Sequence, residues 1–311
     1  MTGNAVLNSA RPADLGSDEA PADANLRALA AEPVTLRPPR GPKVPFIFAS
    51  PHSGRFYPLS FAQSSRLDAI SLRRSEDAFV DELFDSVTEL GAPLIAARFP
   101  RAFVDANRAP GELDPAMFDA PLGSVGPRSP RVAAGLGVIP RVVRDGLEIY
   151  GARLPAQEAA FRLEHFYKPY HAALAELVER ARAEFGVAIV IDCHSMPPPA
   201  KAHDIVLGDC YGEAAAPELI GQTQKILSGL GFSVARNAPY AGGYTTHLYG
   251  RPREGVHAIQ IEVSRALYLD ESLMEKSTGF ASCRDRLRVF ASKLLAEAGT
   301  WLKATRSSVR P

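Results

Sequence analysis

The stretch Val187-Ala188-Ile189-Val190-Ile191-Asp192-Cys193-His194-Ser195 follows a glycine and opens with five apolar residues. So short and β-branched a run reads as a buried strand. Such a strand gains stability from its apolar side chains, and an Asp or His at its end costs desolvation unless it has a partner. Two further runs end the same way. Phe46 to Ala49 leads into Ser50-Pro51-His52-Ser53-Gly54, and Val256 to Ile261 leads into Glu262. Three strands ending on ionisable residues point to one polar site at the rim of a sheet, where open α/β sheets hold their ligands.

Outward from these runs, strands and helices alternate from Val44 onward, the pattern of an α/β domain. Apolar Phe79, Val80, Leu83, Phe84, Val87 and Leu90 predict a helix over Ser75 to Leu90, with Ser75 as N-cap and Gly91 as stop. Short strands are expected at Leu94 to Ala97 and Ala102 to Val104. Residues 109–150, rich in Pro and Gly, read as a long functional loop or small subdomain. A helix should end at Gly186. Beyond the central strand come a strand at Ile205 to Leu207, a helix from Glu213 to Leu230 and a strand at Ser233 to Ala235. A Gly- and Tyr-rich loop then spans Ala238 to Pro252, and helix closes the chain over 270–304. Residues 1–43 read as a mobile N-terminal arm closed by Arg37-Pro38-Pro39-Arg40-Gly41-Pro42. Residues 44–311 read as a single domain.

Composition narrows the partners. Basic and acidic residues balance at 35 each, which leaves no general field for nucleic acid or an anionic membrane. A small-molecule substrate is expected. No apolar stretch approaches the roughly 20 residues of a membrane span, and the N-terminus lacks an apolar signal segment. Cys193, Cys210 and Cys283 form neither a disulfide framework nor a C-x-x-C zinc spacing, which fits a reducing cytoplasm.

Side chains alternate along a strand, so Asp192 and His194 should share a face while Cys193 points away. That argues against a Cys193–His194 nucleophile pair. A carboxylate beside a His is a common metal-site arrangement, although backbone carbonyls could equally satisfy a His there. His52, between Pro51 and Gly54, sits on a sharp turn that can aim it into a cleft or leave it exposed. Glu76 and Asp77 would complement the dipole of the expected helix, or one of them could complete a His/His/carboxylate set. Glu262 shares a strand face with Gln260 and Ser264. It suits a desolvated general base, or a buried pair with Arg265. Asn107-Arg108 offers an amide and a guanidinium suited to a carboxylate. In the 238–252 loop, Gly242 and Gly243 allow close backbone approach, and Tyr244, Thr245, Thr246 and His247 supply directional contacts.

In sum these segments resemble the N-formylglutamate amidohydrolase family over most of residues 45–275. The resemblance rests on Ser50-Pro51-His52-Ser53-Gly54, Glu76-Asp77, Asp105 with Asn107-Arg108, Gly135 to Ile139, Lys168-Pro169-Tyr170-His171, Ile191 to Pro197, Asp204 to Asp209, Asn237 to Tyr244, Tyr249 to Pro252 and Gln260-Ile261-Glu262. More distantly, the order His52, Asn107-Arg108, His194-Ser195 and Glu262 is similar to that of zinc carboxypeptidases. Those enzymes place a carboxylate ligand three residues after the first His, where this chain has Arg55. The resemblance implies a three-layer α/β/α fold with a mixed, mainly parallel sheet. It implies hydrolysis of N-formyl-L-glutamate to formate and glutamate, a step of histidine degradation. The implied cofactor is Zn²⁺, or another divalent metal, on His52, His194 and Asp77, with Glu76 the second choice for the carboxylate. Glu262 would act as general base on the activated water. Arg108 with Asn107 would take one substrate carboxylate, and Arg101 or the loop residues Gly243, Tyr244, Thr246 and His247 the other. Alternatives kept open are another N-acyl amino acid as substrate, or a non-catalytic binder of acidic ligands.

Overall fold

The computed structural model describes residues 21–123, 125–143, 146–198 and 203–308. Seven strands form one sheet: β1 (Val34–Arg37), β2 (Phe46–Ser50), β3 (Leu94–Ala97), β4 (Ala188–Met196), β5 (Ile205–Gly208), β6 (Val234–Arg236) and β7 (Val256–Ser264). Their order across the sheet is β1-β3-β2-β4-β7-β5-β6. The pairs β2–β3, β2–β4, β4–β7 and β5–β6 are parallel, while β1–β3 and β5–β7 are antiparallel. The sheet is therefore mixed and mainly parallel, as expected.

Alternation along the strands builds two cores. On one face Phe46, Phe48, Ile189, Ile191, Cys193, Ile259 and Ile261 pack with Val80 and Leu83, with Leu219 and Leu227 of the helix Pro217–Gly229, and with Leu287 and Phe290 of the helix Phe280–Ser308. On the other, Ile47, Ala49, Ala188, Val190 and Ala258 meet Tyr170, Leu174 and Val178 of the helix Lys168–Phe185. That helix ends at Gly186, whose φ of 77° suits a residue without Cβ. Helices thus cover both faces of the sheet. None of the described helices is long and apolar enough to cross a membrane.

Several local expectations are corrected. The helix expected over Ser75 to Leu90 is reduced to Val80–Leu83 and a 3₁₀ turn at Asp85–Thr88. The backbone of 74–77 is bound elsewhere: the Arg265 guanidinium donates to the carbonyls of Arg74 (3.2 Å) and Glu76 (2.5 Å), and the Asp77 amide donates to the His52 carbonyl (2.9 Å). Phe79 then takes a left-handed φ of 62°. Ala102 to Val104 is a turn, because the Phe103 and Val104 amides both close onto the Pro100 carbonyl. The 238–252 loop contains a helix, Tyr244–Tyr249. The hairpin Leu269–Asp270 with Glu275–Lys276 precedes the last helix. Of the expected arm, residues 1–20 lie outside the described residues. Its later part includes a helix (Pro21–Ala31) with buried Leu29, and β1 pairs in register with β3.

Candidate active site

The C-terminal ends of β2, β4 and β7 lie side by side, and the polar residues expected at those ends meet there. In the parallel register of β4 and β7, Asp192 stands opposite Gln260 and His194 opposite Glu262. Both pairs are buried and lie on the sheet face away from Cys193. His52 follows β2 by two residues and is also buried.

Two imidazoles converge on one carboxylate oxygen. His52 Nδ1 lies 3.3 Å and His194 Nδ1 2.9 Å from Asp77 Oδ2, with the ring centroids 4.8 Å apart. The opposite ring nitrogens have their own carboxylates: His52 Nε2 meets Asp105 Oδ1 at 2.8 Å and His194 Nε2 meets Asp192 Oδ2 at 3.0 Å. Carboxylates at Nε2 hold a proton there and orient both rings so that Nδ1 is the atom each offers at a common point. The other Asp77 oxygen, Oδ1, accepts from Ser195 Oγ and Arg265 Nη2, each at 3.2 Å. Arg265 therefore pairs with Asp77, and the Glu262–Arg265 pair considered from sequence does not form. Glu76 faces elsewhere, accepting from Tyr57 and Arg73. Among the described residues, His52, Asp77 and His194 are grouped so that one ligand atom from each lies within 4.8 Å of the others. Two imidazole nitrogens and one carboxylate oxygen, ringed by buried Asp105 and Asp192, are a donor set that fits a divalent cation.

The charges follow from the surroundings. Burial opposes ionisation of Asp77, but hydrogen bonds from His194 and His52 outweigh it and hold its pKa well below the ordinary carboxylate range. Burial likewise opposes ionisation of Asp105, and Arg101 and His52 outweigh it in the same direction. For His194, burial disfavours the imidazolium, yet Asp192 and Asp77 raise its pKa well above the ordinary value. Glu262 behaves in the opposite way to the aspartates. Burial pushes its pKa up to about 7, and Gln260 Nε2 donates to it at 2.7 Å. A carboxyl with its pKa raised toward neutrality beside a donor set that fits a cation has the property a general base needs.

Glu262 and the donor cluster line a cavity of about 570 Å³ that also receives Arg74, Arg101, Arg108, Arg131 and Arg265. Arg101 Nε donates to Asp105 at 2.9 Å. Arg108 is fixed by the carbonyls of Leu136 and Asn107, at 3.1 and 3.0 Å. Asn107 spends its amide inside the protein: Oδ1 accepts from the Thr245 amide at 2.7 Å, and Nδ2 donates to Asp192 at 3.5 Å. Gly243 also lines the cavity, and a Cβ there would fall 2.2 Å from Asn107 Nδ2, so its bareness serves packing on Asn107. Tyr244 and His247 are turned by their short helix toward a second cavity of about 380 Å³, and Thr246 is buried. Of the residues expected to bind substrate, Arg101, Asn107, Arg108 and Gly243 reach the main cavity, whereas Tyr244, Thr246 and His247 are not among its lining residues.

Sequence reasoning names Asp105 only within the resemblance and Arg265 only as a possible partner of Glu262. Asp105 stands two residues before Asn107 and Arg265 three after Glu262, so closeness to stronger candidates was the available signal. Cys193 sits in the opposite core with its thiol pKa pushed well up by burial. Cys193→Ala is expected to keep the wild-type hydrolytic rate within about twofold, since a thiol facing away contributes nothing to transition-state binding. Steady-state rates of the two proteins check this.

The N-formylglutamate amidohydrolase family profile matches residues 44–269. The N-formylglutamate deformylase of Pseudomonas aeruginosa is 30% identical over 239 residues, covering 74% of this chain and 84% of that protein. The Pseudomonas putida enzyme of the same name is 28% identical over 242 residues with the same coverage. A crystal structure of N-formylglutamate amidohydrolase from Ralstonia eutropha JMP134 superposes with a TM-score of 0.82 at 34% identity, covering 86% of this chain and 99% of that one.

Proposed function

The chain belongs to the N-formylglutamate amidohydrolase family and is a hydrolase, and from that premise we propose that it cleaves N-formyl-L-glutamate to formate and L-glutamate in a metal-dependent reaction. One observation carries the reading: Glu262, with its pKa raised by burial, lies in register with His194 beside the His52–Asp77–His194 cluster, in a cavity ringed by arginines.

His52 Nδ1, Asp77 Oδ2 and His194 Nδ1 would hold the ion, with zinc favoured by two nitrogens and one oxygen. Bound there, it would supply Lewis acidity that acidifies water and polarises a carbonyl. Glu262 takes a proton from the attacking water and returns it to the departing amine. Asp105 and Asp192 keep the imidazoles oriented. Arg108 and Arg101 would meet the carboxylates of a dianionic substrate and hold its formyl carbon within reach of Glu262. Asn107 is better suited to positioning, because its amide is already bonded within the protein.

The acyl group is tested by comparing N-formyl-, N-acetyl- and N-succinyl-L-glutamate. The formyl compound is expected to have the highest kcat/KM, by about tenfold or more over acetyl, since each misfit carbon in a shaped site is worth roughly 1–3 kcal/mol. A higher kcat/KM for either larger acyl group would reassign the substrate.

A further inference from the structure

We propose that Tyr211 is a specificity-determining residue whose ring covers the amino-acid side chain of the substrate at the cavity mouth; this rests on the functional reading above. Cys210 and Tyr211 have φ values of 53° and 58°, and Gly212 follows at 92°. Two non-glycine residues in succession in the left-handed region are disfavoured, because each Cβ crowds its own backbone. The turn is nevertheless held from several sides. Asp209 Oδ1 accepts from the Gly212 amide at 3.1 Å and from Asn237 Nδ2 at 2.7 Å. Asn237 Oδ1 accepts from the amides of Asp209 (3.1 Å) and Tyr211 (3.5 Å), and the Cys210 amide donates to the Ala241 carbonyl at 2.7 Å.

Burial of the tyrosine does not explain this expense. Tyr211 is 79% exposed, the highest value among the large hydrophobic side chains described. Even so, Tyr211 lines the cavity that contains His52, His194 and Glu262, and also the adjoining second cavity, with which the first shares Arg131 and Ala241 to Gly243. Backbone strain that the surroundings maintain, without benefit to the core, is characteristic of functional positions. On this reading the reacting carbonyl would sit at the buried donor cluster, and the amino-acid side chain would run outward past Arg101 and Arg108 toward the rim. A tyrosine suits it: the ring covers methylenes and the hydroxyl stays wet.

The test compares wild type, Tyr211→Ala and Tyr211→Phe, using KM and kcat for N-formyl-L-glutamate and a calorimetric Kd for L-glutamate. Tyr211→Ala is expected to raise KM and Kd about tenfold, the size of one aromatic contact. Its kcat should stay within about twofold, because uniform binding is what is lost. Tyr211→Phe should stay near wild type in all three. Unchanged KM and Kd in Tyr211→Ala, or a fall in kcat as large as the rise in KM, would overturn the assignment. So would a Phe variant as weak as the Ala variant. If the wild type binds L-glutamate but releases no formate, the catalytic reading fails and the Kd comparison still decides Tyr211. Neither binding nor turnover in the wild type would remove both.

Discussion

Glu262→Gln is expected to lower kcat by about 10²–10⁴, the range that a positioned acid–base group contributes, and to leave metal content unchanged. The amide is nearly isosteric with the carboxyl and can still meet Gln260, so the buried packing of β7 survives. What disappears is a group that can take and return a proton. The pH profile sharpens the test. In the metal-free protein the Glu262 carboxyl titrates at about 7, and a nearby dication would stabilise the carboxylate and move that value down. The acid limb of kcat/KM, on which activity rises as Glu262 deprotonates, should therefore lie at or below about pH 7 and vanish in the variant. Formate release near the wild-type rate from Glu262→Gln with full metal content would take Glu262 out of its role.

Removing the metal, by chelation or through His194→Ala, is expected to reduce formate release below detection, and readdition of zinc should restore only the chelated wild type. Elemental analysis should find about one ion per chain in wild type and a deficit in the variant. The protonation of His194 gives a second readout. Its pKa is raised in the metal-free fold, so the ring keeps its second proton to higher pH than a free imidazole does, and an ion must displace that proton. Metal uptake should release protons, and metal affinity should weaken as pH falls. Stability of the metal-free protein runs the other way. The raised His194 pKa adds stability that is complete below its unfolded value of about 6.5 and is lost as pH rises through the folded value. Melting temperatures of metal-free and metal-loaded protein across that window should diverge as pH rises. A metal-free sample that still deformylates at full speed would end the metal-dependent reading.

The parts of the site legible in the sequence were those that broke a strong local pattern. His194 and Glu262 interrupt apolar runs, and His52 follows one, so burial together with ionisability marked all three. Cys193 could be set aside by strand alternation alone. Asp77 was reached through the company it keeps, although the helix expected around it does not form. That failure has the same origin as the missed Arg265, for the group that unwinds residues 74–77 lies 188 positions from Asp77. No window of local periodicity contains such a contact. Asp105 was obscured because its importance lies in what it holds, His52 and Arg101, and those bonds exist only after folding. Tyr244 and His247 were read as loop residues, and a helix of six residues turned them toward the second cavity.

The grip of Arg265 on the Asp77 loop has a consequence for biosynthesis. A nascent chain that has left the ribosome as far as residue 250 already carries His52, Asp77 and His194, yet it lacks the guanidinium that shapes the loop between them. Ion capture would then be deferred until translation has delivered β7 and the residue just beyond it. Chains that stop short of Arg265 would then be poor scavengers of the cellular metal pool.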